Sequence, residues 1–203
     1  MKRSKHLGGS DIGVVLGLSK FSTRYELWLE KTRRKKPRPG SMATDAGHAL
    51  EDLILDKYCE ARGWDIDRQV PLGKHADRPW ASGTADGVRK DGLIGVDAKA
   101  SCSLSAWSGG PPATVVCQMN WYAWLSGIRT WDVALLQASA GWMFEIFTVE
   151  QDDKLTERLI EAGDEFWWHV TNDIPPEPVT YEEVMAMFVR PGKKTKKAPE
   201  AID

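Results

Sequence analysis

Asp86, Asp97 and Lys99 are the residues of this 203-residue chain whose types and spacing first suggest chemistry. They lie in "ASGTADGVRKDGLIGVDAKA", Ala81 to Ala100, where two alternating runs flank Asp91-Gly92. Asp-Gly between such runs predicts a two-residue hairpin turn, with positive φ at both turn positions. Counting outward from it sets Val88 against Gly95, Asp86 against Asp97 and Thr84 against Lys99. Side chains alternate along a strand, so Thr84, Asp86, Asp97 and Lys99 share one face, and Ile94, Val96 and Ala98 share the other, core-facing one. Directly opposed like charges destabilise a strand pair. Relief can come from a proton, from Lys99 or from a divalent cation between the acids. Hard carboxylate oxygens with room for water suit Mg²⁺ or Mn²⁺. Two readings stay open on geometry alone: a metal site, and a solvent-facing strand pair with incidental charges. A three-residue loop would shift the register and dissolve the facing pairs.

The elements that must position these residues follow from periodicity and punctuation. Ser10 precedes "DIGVVLG" as the expected N-cap of a short helix closed by Gly17. Ser22 or Thr23 opens a second helix through "RYELWLEKTRR". A longer helix is predicted over Thr44–Arg62, ending before Gly63, and a strand over Trp64–Leu72. "SCSLSAWSGGPP" reads as a loop. Pro112 is the expected first residue of a helix to Ser126, with Gly127 as its stop. Strands are predicted over Thr130–Gln137 and Trp142–Val149, and a long helix over Glu150–Thr171. Pro175 onward reads as extended, with a short helix at Glu182–Val189. The order implies one mixed sheet with helices on both faces.

Composition narrows the class. Net charge is −2, so any nucleic-acid contact must use local positive charge. Cations cluster at Met1–His6 (three), Lys31–Arg38 (six) and Lys193–Lys197 (four). The last reads as a solvated tail. Cys59, Cys102 and Cys117 form no CxxC pair, which argues against a zinc ribbon or disulfide framework and fits a reducing, cytoplasmic setting. No membrane partner is expected, since no long apolar run occurs. Four scattered histidines carry no zinc-hydrolase spacing, and neither a P-loop nor GxSxG is present. Most of the ten Trp read as core.

Further residues could join the aspartates. On the Thr44–Arg62 helix, Leu50, Leu53, Ile54, Tyr58 and Ala61 form an apolar stripe with Glu51 at its edge. Gly47, one turn earlier, would allow a close neighbour. The Pro112–Ser126 helix is apolar nearly all round and therefore buried, so Gln118 and Tyr122, four apart, need polar partners. "HLGGSD", His6 to Asp11, sets two glycines and a serine at a helix start, where free N–H groups can receive an anion or simply be capped.

Taken together these residues resemble the PD-(D/E)xK nucleases, with Asp86 followed by Asp97-Ala98-Lys99. "GGSDIGVVLGLSKFSTRYELWLEK" at Gly8–Lys31, "GHALEDLILDKYCEARG" at Gly47–Gly63 and "VVCQMNWYAWLSG" at Val115–Gly127 resemble the YqaJ-like viral recombinase branch, which includes the phage lambda-type exonucleases. The resemblance implies an α/β (α+β) fold with a restriction-endonuclease-like core, a central mixed sheet flanked by helices. It implies one nuclease domain over 1–190, followed by a basic tail over 191–203. Implied metal ligands are Glu51, Asp86, Asp97 and the Ala98 carbonyl, holding Mg²⁺ (or Mn²⁺), two ions per active site. Lys99 would orient or activate the attacking water, with Gln118 beside it. Arg3, Ser10 and Thr84 match positions that grip a DNA 5′-phosphate. The implied activity is 5′ to 3′ digestion of double-stranded DNA ends by a ring-shaped homotrimer, working with a single-strand annealing protein. Two positions depart from the pattern: Ala85 where proline is usual, and Asp97 where glutamate is commoner. Other readings are a selective endonuclease on the same fold and a catalytically silent DNA-binding module. An iron–sulfur relative would need a fourth cysteine.

Overall fold

The computed structural model describes residues 5–36 and 40–178. The anticipated Glu182–Val189 helix, the 191–203 tail and Arg3 lie outside them. Five helices and five strands follow in the order α1 (Gly9–Val15), α2 (Arg24–Lys31), α3 (Met42–Arg62), β1 (Ile66–Lys74), β2 (Ser82–Arg89), β3 (Ile94–Ser101), α4 (Ala113–Ser126), β4 (Thr130–Gln137), β5 (Met143–Glu150) and α5 (Asp153–Asn172). The strands form one mixed sheet in sequential order. β1, β2 and β3 are antiparallel neighbours, β3 and β4 are parallel, and β4 and β5 are antiparallel. The parallel pair is the one joined through a helix, α4, as a crossover requires.

Both sheet faces are covered, as the element order implies. α3 lays Ile54, Leu55 and Tyr58 on Val96, Ala134 and Leu136. Against the other face, α1, α2, α4 and α5 enclose Val133, Trp131, Trp121, Leu159 and Phe166. The β4 strand is buried along nearly its whole length, which is why "TWDVALLQ" shows no alternation. Its Asp132 survives in the interior because Tyr58, Thr148 and Arg62 all reach it, at 2.9, 2.6 and 2.8 Å.

Several local expectations are corrected. The stripe on α3 is Ile54, Leu55 and Tyr58; Leu53 and Ala61 face outward. Gly47 meets no neighbour, with nothing within 4 Å of where a Cβ would sit. Gly47→Ala should therefore raise thermal stability, by about 0.5–1 kcal/mol for a helix-interior glycine. A thermal melt that falls would contradict this. Ser10 is not the N-cap of α1. Gly8 is, and the Asp11 carboxylate accepts the Gly8 N–H at 3.0 Å. Asp11 also pairs with Lys31 at 2.6 Å, both side chains nearly inaccessible, which ties α1 to α2. Pro112 is the N-cap of α4 rather than its first residue.

Candidate active site

The site is built where β2 and β3 part. Backbone pairing between them holds at Gly87↔Val96 and Val88↔Gly95, the register anticipated from Asp91-Gly92. The turn itself is looser than a two-residue loop. Residues 90–93 connect the strands, the Gly92 N–H donates to the Arg89 carbonyl at 2.7 Å, and only Gly92 of the loop has positive φ. Asp91 instead accepts the Leu93 N–H at 3.0 Å. Opening the turn by one residue on each side leaves the register unchanged.

Past Gly87 the ladder stops, at the position where Asp86 falls opposite Asp97. The Asp86 carboxylate enters the gap and accepts the Ala98 N–H at 2.8 Å. Asp97 is buried, 1% exposed, and Asp86 half-buried, while Thr84 on the same face is exposed. Lys99 Nζ lies 2.5 Å from Asp97 Oδ2 as an ion pair, without the alignment of a hydrogen bond. From α4, Gln118 Nε2 donates to Asp97 Oδ1 at 3.2 Å and to the Tyr122 hydroxyl at 3.0 Å. The four-residue spacing of Gln118 and Tyr122 puts both on the face of α4 that meets the sheet.

Burial, then the facing Asp97 charge, pushes the Asp86 carboxyl up to about 7. Burial alone would lower the Lys99 ammonium, but the Asp97 carboxylate outweighs it and holds Lys99 above its ordinary value. Lys99 is therefore a fixed cation at neutral pH, suited to donate a hydrogen bond or stabilise negative charge, not to remove a proton. Burial raises the Tyr122 hydroxyl, which stays protonated.

The raised Asp86 carboxyl has a measurable consequence. The folded state retains a proton that the unfolded chain loses near pH 4. Asp86's contribution is thus fully present below that pH and disappears as pH rises through about 7. Metal-free protein should lose stability over this interval, and Asp86→Asn should flatten the slope. Parallel melting curves at pH 5 and pH 8 in chelator, with the same difference for both proteins, would contradict it.

The other implied residues are placed less tightly. Glu51 is half-buried on α3; its charge bears on both Asp86 and Lys99, but its Oε1 accepts a hydrogen bond from Gln69 Nε2. Ser10 and Thr84 are exposed. A Cβ on Gly9 or Gly83 would lie 2.5 or 2.9 Å from the Tyr122 ring, so that ring draws α1 and β2, and with them Ser10 and Thr84, to one end of α4. Of the amides at the start of α1, the Gly8 N–H is already used by Asp11. Gln69 carries no sequence signal of its own; only its register against Asp86 marks it. Gly9→Ala should push on Tyr122 and Gln118 and disturb the Gln118–Asp97 bond, costing about 1–3 kcal/mol as overpacking does and lowering any activity of the site. Wild-type stability in a thermal melt would contradict it.

Among the described residues no three His, Cys, Asp or Glu side chains already converge as a metal-binding group. Two carboxylates do converge, one raised by the other, with a buried Asp97 oxygen that lacks an aligned donor. Mg²⁺ is commonly held by one or two carboxylates together with water and substrate phosphate. The donor set fits such an ion.

Comparison with known proteins bears on the fold and the family. A curated relative, the uncharacterized protein YqaJ of Bacillus subtilis strain 168, is 26% identical over 171 residues, 82% of this chain. The chain spans about half of that relative's length, 54%. Among solved structures, the alkaline exonuclease LHK-Exo of Laribacter hongkongensis superposes with a TM-score of 0.72 at 16% identity, over 93% of this chain and 96% of that one. That protein is also known in complex with dAMP. A phage-related exonuclease from Haemophilus somnus 129PT superposes with a TM-score of 0.63 at 12% identity, over 83% and 96% of the two chains. At such identities the likeness establishes the fold: the mixed sheet and flanking helices are those of the alkaline exonucleases, a restriction-endonuclease-like core. The YqaJ-like viral recombinase domain matches residues 1–129, which hold the acids at the strand fork, Lys99 and Gln118, and the chain belongs to that family.

Proposed function

We propose that the chain is a Mg²⁺-dependent exonuclease that digests linear double-stranded DNA from 5′ ends and leaves 3′ single strands for recombination by annealing. The observation that carries this reading is the fork itself: Asp86 and Asp97 meet where the β2–β3 ladder ends, with Lys99 and Gln118 on Asp97. The names of the structural neighbours support it, since LHK-Exo is called an alkaline exonuclease and is known with a bound deoxynucleotide.

In this reading Asp86, Asp97 and the Ala98 carbonyl would hold two ions per site, with Mn²⁺ as a substitute for Mg²⁺, and Glu51 would complete the set. Bound metal would polarise the scissile phosphate and lower the pKa of a water. Gln118 keeps Asp97 in one orientation by holding Oδ1. Lys99, kept protonated, places a cation beside the attacking water and the charge developing on phosphate. Ser10 and Thr84, with Arg3 from outside the described residues, would grip the 5′-phosphate. A ring-shaped homotrimer would let a protein of net charge −2 stay on its DNA by encircling it. A single-strand annealing protein would take up the 3′ tail.

The test is a digestion of linear duplex labelled separately at each end, beside covalently closed circular DNA, with and without Mg²⁺. The reading expects loss of 5′ label as mononucleotides, an intact circle and no reaction in chelator. Nicking or linearisation of the circle would instead make the chain an endonuclease.

A further inference from the structure

Backbone conformation singles out a residue that no motif marks. Among the described residues four non-glycine positions have positive φ: Arg33, Gln69, Trp142 and Asp173. Three follow or precede a regular element. Gln69, at φ 50°, lies inside one, the β1 strand. A side chain disfavours this conformation, and where it persists in an ordered element it points to a functional constraint.

The place of the irregularity is informative. β1 pairs with β2 at Arg68↔Gly87 and at Val70↔Ala85 with the register unchanged. The position between them is unpaired, and it sets Gln69 across from Asp86. Asp86 is thus flanked by a break in the ladder on both sides, at Gln69 on β1 and at Asp97 on β3. Turned out of the strand's alternation, Gln69 points its amide to α3, where Nε2 donates to Glu51 Oε1. His48 stands 3.8 Å from the other oxygen but is largely exposed. The next residue back, Arg68, also reaches α3, bonding Asp52 at 2.9 Å and Asp56, acids that point away from the site. Two side chains therefore clasp β1 to α3, and of these only Gln69 holds the acid whose charge is felt at Asp86 and Lys99.

We propose that Gln69 is a positioning residue of the metal site: its left-handed backbone, across from Asp86, turns its amide onto Glu51 and fixes the orientation of that carboxylate. The proposal rests on the nuclease reading only in taking Glu51 as an acid that serves the ion. An ordinary surface clasp would leave a trace in stability alone. A positioning residue should alter metal affinity, on the pattern by which loss of an outer partner weakens metal binding about 10–100-fold.

Gln69→Gly and Gln69→Asn separate the two. Both residues tolerate the left-handed backbone, and neither side chain spans the distance that glutamine does. Calorimetric titration of Mn²⁺ into DNA-free protein should show affinity weakened by about 10-fold or more in both variants. The Mn²⁺-induced rise in melting temperature should shrink, while the metal-free melting temperature stays at or above the wild-type value. The Mg²⁺ concentration for half-maximal cleavage should rise by the same factor, with the rate recovering at saturating Mg²⁺. Arg68→Ala, the control clasp, should lower stability and leave Mn²⁺ affinity unchanged. Wild-type Mn²⁺ affinity in both Gln69 variants would overturn the proposal. A wild-type protein that binds no Mn²⁺ would overturn the metal reading, and the proposal with it; the two failures appear in different samples.

Discussion

Replacing Asp86 or Asp97 by alanine is expected to abolish Mg²⁺-dependent DNA cleavage. Loss of even one fixed group that stabilises transition-state charge costs about 10²–10³-fold, and loss of a metal ligand removes more than one such effect. The two variants should differ in stability, and this difference is specific to the geometry. Asp86 is a strained acid, pushed up to about 7 by burial and by Asp97, with one backbone amide as its hydrogen-bond partner. Its removal relieves repulsion, so metal-free Asp86→Ala should melt at or above the wild-type temperature at pH 8. Asp97 is the partner of both Lys99 and Gln118, and Asp97→Ala strands a buried cation. That variant should melt lower. Cleavage rates by gel and melting curves in chelator check both halves. Wild-type cleavage in either variant would remove the aspartates from the site.

Lys99 is expected to behave in the opposite way to Asp86. Lys99→Ala leaves Asp86 and Asp97 facing each other with no compensating charge. Breaking a buried ion pair costs about 3–5 kcal/mol, and the lower end applies because the lysine side chain is 27% exposed. Turnover should fall about 10²–10³-fold, the cost of losing one fixed group that stabilises transition-state charge. Metal and DNA binding should persist, since neither depends on the ammonium. Calorimetry with Mn²⁺ and filter binding of DNA in Ca²⁺ would show this. Lost metal affinity with unchanged turnover would contradict the role given to Lys99.

The register that opposes Asp86 to Asp97 was legible because Asp91-Gly92 centres the turn. A turn that opens symmetrically does not move the register. The helix around Gln118 was legible for a similar reason: Gln118 and Tyr122, polar and four apart in a largely apolar helix, have to be buried against partners, as Asn120 between them also is. What failed was local and small. Ser10 is a common capping residue, but Gly8, two residues earlier, is the N-cap, and Asp11 reaches back to accept its N–H. On α3, period alone cannot choose between Leu53 and Leu55, which differ by half a turn; contact with Val96 and Ala134 decides for Leu55.

Gln69 was invisible for a deeper reason. A single left-handed residue within a strand leaves no mark on alternation, and its partner Glu51 is 18 positions away. Its meaning depends on the pairing of β1 with β2, which no local pattern encodes. The interior character of the site was also hidden. Asp, Lys and Thr on one strand face left a metal site and a solvent-facing pair both open, and only the packing of α4 across the sheet shows Asp97 to be buried.

In the proposed reaction a divalent ion sits between Asp86 and Asp97 and is required for hydrolysis. Crystals soaked in Mn²⁺ and measured at the manganese absorption edge test it most directly, with Asp86→Asn crystals measured alongside. The account predicts an anomalous peak bounded by the Asp86 and Asp97 carboxylates in the wild type, and none at that place in the variant. A wild-type map with no peak at the fork, from protein that cleaves DNA in the same Mn²⁺ solution, would contradict it.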